Sequence, residues 1–289
     1  MKLLTKILAL GLLSSVLVAC SKNNDNPVAN SITLHFSNTF KQTPIVLGDA
    51  TSNTATLNTS AEGQLHHFSE LKYVISNIRL VGVDGKEFPY FINDLDKGAT
   101  VVNQANPQSL DFVLSSIPVG EYKQLKFGLG VKQALNTLDQ VRFPKFYAEA
   151  GANNTEMMWE WGTGYRFTKI EGFYEAERKQ LSIHTGSTVD EDEAGLPIQG
   201  VDAYRDVTLE LSTRASVGRT APKITIVADF DKLLSGKSHT IKLIAGKGSN
   251  SNATPNVHTA VEMLKFVDNL GGDGKSDLSG MFSIQRVEN

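Results

Sequence analysis

Cysteine is all but missing from this 289-residue chain, which has a single one, Cys20. One thiol excludes any disulfide within the chain, so packing, or a metal, must hold the fold together. A basic surface is missing as well. Lysine and arginine number 28 against 31 aspartates and glutamates, the net charge is −3, and no basic stripe appears, which argues against a nucleic-acid partner. Hydrophobic residues at 40% suit a globular body, not a polytopic membrane protein. The sequence also lacks a nucleophile elbow, a phosphate-binding loop, a dinucleotide fingerprint and a zinc-protease helix. Nothing in it assembles a nucleophile, a base and an orienting group, so a binding protein is expected, not an enzyme.

What is present starts with an address. Lys2 and Lys6 precede an apolar run from Ile7 to Ala19, too short for a membrane span and typical of a secretory signal. The run ends Leu17-Val18-Ala19-Cys20, which resembles the lipobox of bacterial lipoproteins. The resemblance implies cleavage before Cys20, lipidation of its thiol and anchorage to a membrane, with the Gram-negative outer membrane expected. Residues 1–19 are thus assigned to the signal, the polar, asparagine-rich residues 20–30 to a tether, and residues 31–289 to one domain.

That domain reads as strands. Ser31 to Phe36 alternates around Ile32, Leu34 and Phe36, placing His35 on the opposite face. Leu71 to Val83 and Lys86 to Ile92 flank Asp84-Gly85, a strong hairpin signal. His66-His67 is expected in the loop before this hairpin, and residues 131–155 are expected to be irregular. Thr168 to Glu175 and Lys179 to Thr185 form a second hairpin across Ala176-Glu177-Arg178. Asp190 to Glu193 reads as loop. Asp229 to Leu234 and Thr259 to Asn269 carry helical signals. About ten short strands punctuated by turns predict an all-β fold, a single antiparallel β-sandwich with one or two short helices near the C-terminus.

The stretch Met157-Met158-Trp159-Glu160-Trp161-Gly162-Thr163-Gly164-Tyr165-Arg166-Phe167 holds both tryptophans. Its period-two alternation predicts a half-buried strand broken at the glycines. Of the six histidines no pair has the i, i+4 spacing of a helical metal site. His184 lies at a strand end beside Gly186, facing opposite Ile183. The acidic run Asp190 to Glu193 and the loop Asp268 to Gly274 offer oxygens but match no known calcium loop.

Four segments in order resemble the MbnP family of copper-binding proteins associated with methanobactin. They are Leu71 to Leu80 with Asp84-Gly85; Pro118-Val119-Gly120-Glu121-Tyr122 through Phe127 to Val131; Met158-Trp159-Glu160-Trp161 with Gly164 to Phe167; and His184-Thr185-Gly186-Ser187. The similarity runs from about residue 31 to about residue 287. It implies a β-rich exported protein with a mononuclear copper site, acting as a carrier or scavenger. It also implies a tryptophan, Trp159 or Trp161, oxidised to kynurenine by a partner di-haem enzyme. An indole N–H only donates, whereas the arylamine left by ring opening has a lone pair for metal. Imidazole and thioether suit copper, so His184, His258 and His35, with Met157 or Met158 adjacent, are the expected ligands. In the methanobactin branch Asn-His follows the Gly-Val turn; here Leu135-Asn136-Thr137-Leu138-Asp139 puts threonine in that place. The rival reading is a surface module that binds glycan or protein on a stacking platform of Trp159, Trp161 and Tyr165, which requires exposed rings.

Overall fold

The computed structural model describes residues 28–152, 156–159, 164–244, 256–257, 260–274 and 280–289. In chain order the strands are β1 (Ile32–Phe40), β2 (Thr43–Pro44), β3 (Asn58–Thr59), β4 (Leu65–Gly82), β5 (Glu87–Tyr90), β6 (Thr100–Asn103), β7 (Asp111–Leu114) and β8 (Gly120–Leu129). They continue with β9 (Thr168–Tyr174), β10 (Lys179–Thr185), β11 (Val189–Glu191), β12 (Pro197–Gln199), β13 (Arg205–Val217), β14 (Lys223–Asp229), β15 (Asn256–Val257) and β16 (Phe282–Glu288). Helices α1 (Leu95–Gly98), α2 (Pro144–Tyr147) and α3 (Ala260–Gly271) are short beside them.

Two sheets form the sandwich. The smaller runs β16-β14-β1-β2, with β7 also on β1; the larger runs β13-β8-β4-β9-β10-β15, with β3, β5 and β6 on β4. Pairing is antiparallel except for β1 with β14 and β10 with β15, the two departures from the predicted all-antiparallel pattern. Alternation sorts β1 as expected. Ile32, Leu34 and Phe36 are buried, and His35 on the opposite face meets Asp111 of β7 at 2.8 Å. Across the sandwich Phe36 meets Tyr73 and Phe127 edge-on, with ring centroids 6.0 and 6.2 Å apart. Phe282 closes on Phe127 at 5.0 Å. Each such ring removed from water contributes roughly 1.5–3 kcal/mol.

Strand β4 changes partners along its length. Its first half, His66 to Tyr73, pairs with β9, and its second half, Ile75 to Gly82, with β8. The junction is Val74, whose N–H donates to Phe167 O at 2.9 Å and whose carbonyl accepts from Gly130 N at 2.9 Å. Gly130 has φ +102, and a Cβ there would sit 2.4 Å from the Phe167 ring, so the junction requires glycine.

Several expectations change. His66-His67 is not loop: β4 starts at Leu65 and buries both rings, because Phe40 and Phe68 close on His66 edge-on at 5.4 and 5.5 Å. The Asp190 to Glu193 run is not loop throughout, since β11 and β12 form a hairpin there. Residues 131–155 include α2, and α1 lies in the loop before β6, so short helices are not confined to the C-terminus. The predicted strand at 157–167 is reduced to one bridge, Met158 with Tyr165, among the described residues.

Burial costs His66 its proton. Desolvation, opposed by a hydrogen bond to the Gln64 carbonyl and aided by repulsion from His67, pushes the imidazole from 6.5 down to about 4. Below about 6.5 the unfolded chain takes up a proton that the folded chain refuses until about 4. Stability is therefore complete above that window and falls by about 3 kcal/mol as pH drops through it. His66→Phe should flatten this slope in denaturant midpoints measured between pH 7 and pH 4; an unchanged slope would assign it elsewhere.

Candidate functional site

On β9 and β10 the core-facing residues are Ile170, Gly172, Leu181 and Ile183, so Lys169, Glu171, Ser182 and His184 face the outside of the larger sheet. Register sets them in rows with β4. Lys72, Lys169 and His184 lie side by side, and next to them Glu70, Glu171 and Ser182. Like charges in a row repel, and diagonal pairing relieves this. Lys169 Nζ meets Glu70 Oε2 at 3.0 Å and also pairs with Glu156, Lys72 pairs with Glu70, and His184 Nε2 lies 2.9 Å from Glu171 Oε1.

This outer face is covered, and Lys72, Lys169 and His184 are all buried. Burial alone would lower the Lys169 ammonium, but the hydrogen bonds it donates to Glu156 and Glu70 outweigh this and hold the group above its usual range. The His184 hydrogen bond, then Lys169, keep the Glu171 carboxyl below the usual range against desolvation. The cover is the chain on either side of the tryptophans. Met157 N donates to Ala150 O at 2.6 Å, Trp159 N to Gly164 O at 3.1 Å, Arg166 N to Met157 O at 2.9 Å and Phe167 N to Thr185 O at 2.6 Å.

Trp159 lies over the site with 8% of its surface exposed, its ring 6.2 Å from the His184 imidazole. The Arg166 guanidinium sits 5.0 Å from the indole. A Cβ on Gly186 would stand 2.5 Å from Trp159 Nε1 and 3.0 Å from Tyr165 O. Glycine at 186 is therefore what lets the indole N–H edge approach the strand end that carries His184. Tyr165 is fully buried against Phe146 at 5.0 Å, and desolvation, then the charges of Tyr147, Asp139 and Asp96, push its phenol up to about 12.

Of the residues proposed from sequence, His184 and Trp159 come together. Met157 is packed in the core, and the thioether of Met158 abuts Gly151. His35 lies on the smaller sheet, held by Asp111, which also binds Lys223 at 3.1 Å. His258, Trp161 and Cys20 lie outside the described residues. The described β10–β15 ladder pairs Ser182 with Asn256 and Ile183 with Val257, ending one residue before each histidine. The segment carrying Thr137 docks here too, since Asn136 Oδ1 accepts from Tyr165 N at 2.7 Å. Among the described residues no three His, Cys, Asp or Glu side chains gather as a metal-binding group, at the acidic runs or elsewhere. The described neighbours of His184 are the Glu171 carboxylate and an indole N–H edge that cannot ligate, so a copper site here needs nitrogen from a changed indole or a histidine beyond the described residues. The buried rings of Trp159 and Tyr165 do not form the exposed stacking platform of the rival reading. Sequence reasoning missed Glu70, Lys72, Glu156, Lys169 and Glu171. The only signal was charged residues alternating with core residues on two strands.

Fold and site together define a two-sheet sandwich whose larger sheet carries a covered histidine–tryptophan cluster on its outer face. The chain belongs to the MbnP family, whose model matches residues 29–269. It is similar to the solved structure of MbnP from Methylosinus trichosporium, with a TM-score of 0.52 and 14% identity over 89% of this chain and 98% of that one. No curated protein matches.

Gly186→Ala should displace the indole while leaving the sandwich folded. In a Trp161→Phe background, Trp159 emission should shift to longer wavelength with the far-ultraviolet spectrum unchanged. An unmoved emission maximum would show that the close approach does not hold the ring.

Proposed function

We propose that this protein is an exported lipoprotein, anchored through Cys20, that binds one copper ion at His184 as a carrier or scavenger in copper handling. The observation that supports the site most directly is the indole Nε1 edge of Trp159 held against Gly186, two residues from His184. Membership of the MbnP family supports the copper assignment. No helix among the described residues is long and apolar enough to cross a membrane, which fits attachment by lipid.

His184 is one ligand and His258 the second. The third donor is the arylamine formed when Trp159, or Trp161, is oxidised to kynurenine. That step cleaves the indole C2–C3 bond with one dioxygen and one water. Dioxygen takes four electrons, C2 leaves as formate, and the ring nitrogen becomes a primary amine. A di-haem partner enzyme is the activating agent. Bound copper supplies a one-electron redox centre that favours imidazole and amine nitrogen. The chain positions these donors and, through the segments 156–159 and 164–167, keeps solvent from them.

Protein purified from its native host should contain near-stoichiometric copper and a mass gain of about 4 Da within residues 157–167. Copper with intact tryptophans would remove the kynurenine and leave a histidine site. Neither copper nor modification would overturn the reading. Cys20→Ser should move the protein from the membrane fraction to the soluble fraction; a variant that stays in the membrane would remove the anchor.

A further inference from the structure

We propose that the end of the sandwich where the N-terminal tether joins the domain is a membrane-contacting surface, seated through Val28, Val83 and Val119 on the lipid that anchors Cys20. This rests on the anchored-lipoprotein reading and adds an orientation to it.

The main chain fixes which end lies near the anchor. Ala29 N donates to Gly218 O at 3.0 Å, and Asn30 O accepts from Ile117 N at 2.8 Å. The N-terminal segment is thus bonded to the β13–β14 turn on one side and to the β7–β8 turn on the other. Val28 stands eight residues beyond Cys20, a stretch that spans at most about 28 Å when fully extended. An acylated Cys20 therefore holds this end close to the bilayer. Leu65, where β4 begins, is at the opposite end, roughly 60 Å away at about 3.3 Å per residue.

The tethered end also carries an apolar groove, lined by Val83, Phe88, Pro118, Val119 and Tyr122. Val119 is 66% exposed, Val28 60% and Val83 44%. Backbone contacts gather these side chains in one place. Val83 N donates to Glu121 O at 3.1 Å, which sets the β4–β5 hairpin beside the β7–β8 turn, and Tyr122 Oη donates to Pro118 O at 2.8 Å, which braces that turn. A Cβ on Gly218 would stand 2.7 Å from Val119 Cγ1, so Val119 lies against the turn that binds Ala29. Apolar side chains exposed singly are ordinary, but a group of them around a groove marks a contact surface. The charges at its rim are paired, Lys86 with Asp84 at 3.6 Å and Arg214 with Glu121 at 3.0 Å, so it brings no uncompensated acidic charge to an anionic lipid surface. Seated end-on, the molecule lifts the Lys72, Lys169 and His184 row roughly 30 Å from the groove, because Lys72 lies ten residues along β4 from Gly82.

Cys20 is the single cysteine, so once it is acylated an introduced cysteine is the one free thiol. Val119→Cys and, at the far end, Leu65→Cys are labelled with an environment-sensitive dye in lipidated protein reconstituted into phosphatidylethanolamine–phosphatidylglycerol vesicles. The Val119 label should emit at shorter wavelength than in the Cys20→Ser protein free in solution, and spin-labelled lipid should quench it. The Leu65 label should show neither effect. Adding Val83→Asp should weaken the quenching at Val119 with anchorage and the far-ultraviolet spectrum unchanged. In lipidated protein, a Val119 label quenched no more than the Leu65 label overturns the orientation and leaves the anchor standing. A Val119 label shifted to shorter wavelength but unquenched shows protein in the groove and overturns lipid contact. Protein from host membranes whose Cys20 itself takes the dye overturns the anchor, and the orientation with it.

Discussion

An 18-residue strand has more backbone donors and acceptors than any one neighbour of ordinary length can satisfy. That constraint organises the molecule. β4 extends roughly 60 Å at about 3.3 Å per residue. It is saturated by successive partners, β9 then β8 on one edge and β3, β6 and β5 on the other. Where β9 hands over to β8, the chain entering β9 must meet the chain leaving β8, and Val74 bonds to both. The entry to β9 is Phe167, the last residue of the tryptophan segment. The cover over the candidate site is therefore fixed where the larger sheet changes partners.

The same register explains why that cover is required. Two glutamates and two lysines side by side on the outer face form a lattice whose long-side-chain ion pairs would be weak in open water. With the 156–159 and 164–167 segments over them the pairs are partly withdrawn from solvent, where one missing partner costs far more than the pair gains. Lys169 illustrates the balance: desolvation lowers it, and carboxylates on two sides more than restore it. A cluster so interdependent tolerates few geometries.

Much of this was legible in the sequence, for reasons that differ by element. The Asp84-Gly85 turn and the 176–178 turn are local chemistry, and both hairpins form where those residues predict them. β1 and α3 follow from periodicity, and the outward facing of His184 follows from the alternation around Ile183. His66 was not recognised as buried because Phe40, which closes on it together with neighbouring Phe68, lies far away in the sequence on another strand. The charge lattice failed for a deeper reason. Lys72, Lys169 and His184 are neighbours only through registers set by β4, and a register is a property of two strands at once. Alternation shows which face a side chain takes, not what stands beside it.

Glu156 shows how the cover keeps its place. Its φ of +55 is strained for a residue with a Cβ and costs on the order of 1–3 kcal/mol. Two anchors offset this: its carbonyl accepts from the Arg166 guanidinium at 2.9 Å, and its carboxylate pairs with Lys169. From there the main chain is tied at Met157 to Ala150 and at Trp159 to Gly164. The position of side chain 159 is thus set through the backbone on both sides, with the ring's own packing added afterwards. The backbone at Trp159 thus keeps its place beside the strand end at Gly186 independently of the ring, because none of these anchors belongs to the indole.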